Sequence, residues 1–156
     1  PFSGDYDFND LVINYRTTII DQNGVATGYK IEGELVGIGA DVQNGFSVRL
    51  YETVEGSNDK RILRSQINAE KSSLLINGLE QTHEILEQNT EDAIFVIMPD
   101  TWDYIDKQSN CNYFRTETGC DSNSKVTFSL FIDLLPGSED ADAPKYTVDP
   151  FIFAAD

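Results

Sequence analysis

The chain has 156 residues, 27 acidic and 11 basic, with a formal net charge of -16 and 40% apolar residues. That length fits one domain with a proper hydrophobic core, and the apolar share argues against disorder. With no basic patch to neutralise phosphates, the charge argues against nucleic acid and anionic membranes as partners; it suits a cation-binding protein in a calcium-containing medium, or serves solubility alone.

The chain opens at Pro1 without a Met or a signal peptide, and reads as a piece of a longer, exported precursor. No stretch is long and apolar enough to span a bilayer, so no membrane insertion by this domain is expected. Gly4-Asp5-Tyr6-Asp7-Phe8-Asn9-Asp10 follows at once. It places oxygen ligands at Asp5, Asp7 and Asn9, in alternation, and adds Asp10. Carboxylates so close together repel one another unless a cation lies between them, and a hard cation with many oxygen ligands, calcium first, answers this. The spacing begins like an EF-hand loop, but Asp10 stands where that loop needs glycine, and Arg16 where it needs a bidentate glutamate. A calcium loop entering a β-strand fits better; the alternative is a solvated turn in which Asp5 and Asp7 cap amides. Four side chains do not fill a shell of six to eight. Further ligands are sought among Asp41, Asn44, Asp100, Asp103 and Asp149.

From Leu11 the pattern has period two. Leu11, Ile13, Tyr15, Thr17 and Ile19 share one face, which predicts a half-buried strand. Asn23-Gly24 predicts a hairpin. The returning strand carries Tyr29, Ile31 and Leu35, and Gly33, Gly37 and Gly39 mark a bulge or a close backbone approach. Asn44-Gly45 reads as another turn, before a strand with Phe46, Val48 and Leu50. Residues Ile62 to Ile67 read as a weaker strand. Between Glu70 and Gln88 a helical leucine stripe competes with two short strands around Asn77-Gly78, and the hairpin is favoured. Ala93 to Met98 reads as a central strand covered on both faces. Pro99 ends it, and Asp100 to Asp106 makes a helical turn. Val126 to Leu134 alternates cleanly, and Tyr146 to Phe153 is a last strand kept near an edge by Pro150. Eight or so antiparallel strands predict an all-β sandwich, jelly-roll or Greek-key like, with few or no helices.

Cys111 and Cys120 are the two cysteines. A disulfide between them would pin a short polar loop and imply an oxidising compartment; two free thiols are the alternative. Trp102, Tyr104 and Tyr113 make a ligand platform of the kind that stacks on sugars, or else pack at a sandwich edge. His83, the only histidine, reads as a surface residue rather than a base. No nucleophile elbow, zinc-protease helix or phosphate loop occurs, so no catalytic residue is assigned.

Several segments together resemble the LruC-type domain of bacterial surface and secreted proteins: Gly4 to Val12; Gly37-Ile38-Gly39-Ala40 followed by Asn44-Gly45-Phe46; Ala93-Ile94-Phe95-Val96 before Asp100; Val126 to Leu134; and Asp149-Pro150-Phe151-Ile152. Asp149 departs from the asparagine usual in that family, which also continues with a segment containing arginine, glutamate and histidine. The resemblance implies an exported bacterial module of an adhesin-like or lipid-anchored protein and supplies no activity. The expectation is therefore a non-catalytic, calcium-stabilised module at the cell surface or outside the cell, binding a surface glycan or protein. A calcium-dependent lectin is the alternative, and a carboxylate glycosidase a third.

Overall fold

A computed structural model describes residues 11–40, 42–52, 60–120, 123–137 and 146–155. They form nine β-strands and two 3-10 turns, with no α-helix among the described residues. β1 (Leu11–Gln22) and β2 (Val25–Ile38) make the expected hairpin. Asn23 and Gly24 turn it with φ of 56° and 81°, values that asparagine tolerates and glycine adopts freely. Then come β3 (Asn44–Glu52), β4 (Lys60–Arg61), β5 (Ser73–Ile76), β6 (Leu79–Glu80), β7 (Ile94–Met98), β8 (Val126–Asp133) and β9 (Tyr146–Ala154). The β5–β6 hairpin turns on Asn77-Gly78, which settles the ambiguous stretch in favour of strands.

Two antiparallel layers result. One has the order β1-β2-β8-β5-β6. In the other, β3 pairs along one edge with β9 over residues 44–52. Its opposite edge is shared end to end by β7 and β4. The chain changes layer after β2, β4, β6, β7 and β8, so the layers are interwoven rather than two successive meanders. This is the predicted all-β sandwich.

The core lies between the layers. Tyr29, Ile31 and Leu35 of β2 and Val126, Leu130 and Ile132 of β8 are fully buried, and face Phe46, Val48 and Leu50 of β3 and Phe95 and Ile97 of β7. The Phe46 and Phe128 rings meet across the layers with centroids 5.8 Å apart. Each such fully buried side chain stabilises the fold by about 1.5–3 kcal/mol relative to exposure. Two bulges interrupt β2, where Thr27 and Val36 lack a partner in β1. The second changes the facing of the strand, so Leu35 and Ile38, three residues apart, are both fully buried. Gly33 is the expected close approach: a Cβ there would sit 2.4 Å from the Asn14 carbonyl oxygen and 2.5 Å from the Phe128 ring.

Three local expectations are corrected. Asn44-Gly45 is not a turn but the start of β3, paired with Ala154 and Phe153. The missing side chain of Gly45 admits the Phe153 ring, which a Cβ would meet at 2.1 Å. Residues 62–67 do not form a strand. Leu63 and Ile67 make isolated bridges around a 3-10 turn at Arg64–Gln66, because the Gln66 side chain accepts from the Leu63 amide at 2.8 Å and closes the turn. β1 forms, but its middle, Asn14 to Thr18, is exposed and Tyr15 is 43% exposed. Among the described residues β1 is an edge strand paired only with β2. The opposing edge strand β9 does not close over it, leaving an apolar groove lined by Leu11, Ile13, Tyr15, Phe46, Pro150, Phe151 and Ile152.

Candidate functional site

The proposed calcium ligands Asp5, Asp7, Asn9 and Asp10, and the supplementary Asp41, lie outside the described residues. The other supplementary candidates are spread out and engaged. Asp100 Oδ1 accepts from the Trp102 amide at 2.9 Å and caps the 3-10 turn Thr101–Tyr104. Asn44 is buried, and its carbonyl accepts from Thr101 Oγ1 at 2.9 Å. Asp103 is exposed on that turn. Asp149 Oδ2 lies 3.0 Å from the Arg49 guanidinium, which also hydrogen-bonds to Tyr51 and stands 3.6 Å from buried Asp92. Burial disfavours the charge on Arg49; the Asp149 hydrogen bond, with Tyr51 and Asp92, outweighs it and raises the Arg49 pKa above its ordinary value. Among the described residues, no three His, Cys, Asp or Glu side chains stand together to hold a metal.

A different site is built at one end of the sandwich, around Trp102. Pro99 ends β7, Asp100 caps the turn, and buried Thr101 ties it to the start of β3. These contacts fix Trp102, half-buried against the core edge. Opposite it stands the cysteine loop. Cys111 and Cys120 form a disulfide, which answers the question the sequence left open. Phe114 is buried under the loop and exchanges two backbone hydrogen bonds with Ile38, at 2.9 and 3.0 Å. Thr116 Oγ1 donates to the Ile38 carbonyl at 3.0 Å. Glu117 Oε1 accepts from the amides of Asn112 and Tyr113 at 2.9 and 2.8 Å. The third wall joins the end of β9 to the segment before β3, where the Ala155 amide donates to the Gln43 carbonyl at 3.0 Å.

These walls enclose an open cleft of about 650 Å³, lined by Val42, Gln43, Trp102, Ile105, Lys107, Asn112, Ala154 and Ala155. The Lys107 ammonium lies 5.1 Å from the Trp102 ring centroid, a cation–π arrangement. Of the three aromatic residues named from the sequence, Trp102 alone lines this cleft. Tyr113 and Trp102 share a small adjoining cavity beside Phe114 and Cys120. Tyr104 turns elsewhere, its hydroxyl 3.5 Å from Gln81 Oε1. Burial, and then the charge of Asp103, push its pKa up.

The cleft offers an indole, two side-chain amides and an ammonium on a partly apolar floor. The described lining residues include no carboxylate, imidazole or hydroxyl. His83 sits away from it, with Nε2 3.0 Å from the Val96 carbonyl. That carbonyl accepts, so Nε2 carries the proton and the ring ties its loop to β7. Sequence reasoning missed Lys107, Asn112, Gln43 and the alanines, which belong to no motif and meet only through the fold. The one available signal was the position of Asn112 next to a cysteine, five residues beyond Lys107.

A model of the family described as "Domain of unknown function (DUF4842)" matches residues 24–156. No curated protein and no solved structure matches the chain.

Proposed function

This chain belongs to the DUF4842 family, and we propose that it is a non-catalytic binding module of LruC type, exported to the bacterial surface, that mediates adhesion by taking a glycan in the Trp102 cleft. The observation that carries the reading is the cleft itself: an indole on the wall of an open cavity, flanked by the Gln43 and Asn112 amides. Sugars present apolar C–H faces between hydroxyls, and an aromatic ring beside amides meets both. Several anchors hold the walls before any ligand arrives: the disulfide, the Phe114–Ile38 pairing and the Asp100 cap. A pre-organised site loses less entropy on binding. A structural disulfide also accords with an oxidising, extracellular setting.

In this proposal calcium occupies the Asp5–Asp10 segment and stabilises the module; binding energy at such a loop becomes folding energy. Because Trp102 is the chain's one tryptophan, its fluorescence reports cleft occupancy directly. The test is a glycan array with wild type and Trp102→Ala, alongside thermal melts of both. Binding lost in a variant that melts like wild type supports a sugar-binding cleft. Array binding that survives the substitution refutes it.

A further inference from the structure

The charge pattern around the cleft narrows its ligand. The described arginines are largely engaged: Arg16 with Glu32, Arg49 with Asp149 and Asp92, Arg61 with Asp92, and Arg115 with Glu34. Lys107, like Arg64, Lys71 and Lys125, has no carboxylate within ion-pair distance among the described residues, and it is set apart by its place: its ammonium lies against the Trp102 ring in the lining of the cleft. A sugar that takes the place beside that indole displaces the ammonium from the ring or crowds against it, and either way strips part of its surroundings. Covering an unpaired cation is unfavourable unless the ligand returns an acceptor, and an anionic oxygen returns the most. We infer that the cleft selects sugars bearing a carboxylate, such as uronic or sialic acid residues, with Lys107 as the specificity-determining cation; the inference rests on the glycan-binding reading of the same site.

Asn112 and Gln43 add side-chain amides that can hydrogen-bond to carboxylate and ring hydroxyls from the other walls. The chain's overall charge of -16 opposes an anion at long range. At physiological ionic strength that field is largely screened beyond about 8 Å, whereas a contact pair is screened much less. The acidic surface therefore slows approach without abolishing the local preference.

The experiment uses a glycan array in two forms, native and with its carboxylates converted to methyl esters. Esterification removes the charge and leaves the sugar ring intact. It is probed with wild type, Lys107→Met and Lys107→Arg. The expected result is that wild type binds acidic glycans about tenfold or more better than their esters, the scale of a charge-assisted hydrogen bond. Lys107→Met should lose that preference and Lys107→Arg keep it. Lys107 is exposed, so neither substitution disturbs the core. The inference is overturned if wild type binds esters as well as acids, or if Lys107→Met retains the preference. Binding confined to neutral glycans, and abolished by Trp102→Ala, would overturn the carboxylate preference while leaving the glycan reading intact. An array blank in both forms would overturn both.

Discussion

Replacing both cysteines by serine tests how far the wall of the Trp102 cleft depends on its covalent tie. Cys111 and Cys120 are nine positions apart, so the bridge closes a loop of ten residues counting both ends. By the chain-entropy relation, closing such a loop removes about 9 cal/mol/K from the unfolded ensemble, or roughly 2.7 kcal/mol at 25 °C. A buried serine hydroxyl would add a penalty if it found no acceptor. Here Gln108 Oε1 lies 3.4 Å from Cys111 Sγ, and Glu117 Oε2 lies 3.7 Å from Cys120 Sγ. Both hydroxyls therefore have acceptors nearby, and the entropy effect should dominate. Urea unfolding of oxidised wild type and of Cys111→Ser/Cys120→Ser, followed by Trp102 fluorescence, should show a loss of roughly 2–3 kcal/mol. Denatured, unreduced wild type should yield no free thiol, since neither cysteine is free. A loss under about 1 kcal/mol would refute the reasoning. It would mean that the Phe114–Ile38 pairing and the Glu117 hydrogen bonds hold the loop unaided.

Other outcomes follow from specific contacts. Gly33→Ala forces a Cβ against the Asn14 carbonyl and the Phe128 ring and should cost at least about 1–3 kcal/mol; an unchanged denaturation midpoint would mean that β1 and β8 part more easily than their pairing suggests. Removing calcium should lower the melting temperature by roughly 5–10 °C if the ion is present at about a hundred times its Kd. Asp5→Asn/Asp7→Asn should abolish that sensitivity, and a melt indifferent to chelator, from calcium-loaded wild type, would remove the calcium proposal. Lys30 and Arg16 hold the Glu32 carboxyl below the ordinary glutamate range by hydrogen bonds and charge. A depressed carboxyl contributes its stability in full above the unfolded value and loses it as pH falls through the folded one. NMR titration should place Glu32 below an unpaired glutamate and show it rising in Lys30→Met; no change in that variant would contradict the pairing.

The strands were legible wherever one physical signal dominated. Asn23-Gly24 and Asn77-Gly78 both turn hairpins, because positive φ is a local demand that few residues meet. Val126 to Ile132 alternates because β8 buries one face. Pro150 marks an edge in β9. The misreadings arose where a distant partner decides the outcome. Gly45 looks like a turn residue until Phe153, more than a hundred residues later, needs the space above it. The apolar residues of β1 predict a covered face, yet cover must come from the other layer, which β9 does not supply. Trp102 was singled out by residue type and lines the cleft, but Tyr104 and Tyr113 were grouped with it by proximity in sequence, and the capped turn sends Tyr104 elsewhere. Lys107 and Asn112 had no signature of their own.

β3 has a consequence for how the protein is made. Among the described strands it is the sole hydrogen-bonded neighbour of β4 and β9 in its layer, and β7 also depends on it. Its longest pairing joins Asn44 to Ala154. During translation, the residues between β3 and β9 emerge before the β9 side of this keystone is paired, and such distant pairings form slowly. A nascent chain with a bare strand border attracts foreign backbones. Passage across a membrane before folding would delay that hazard until β9 is at hand.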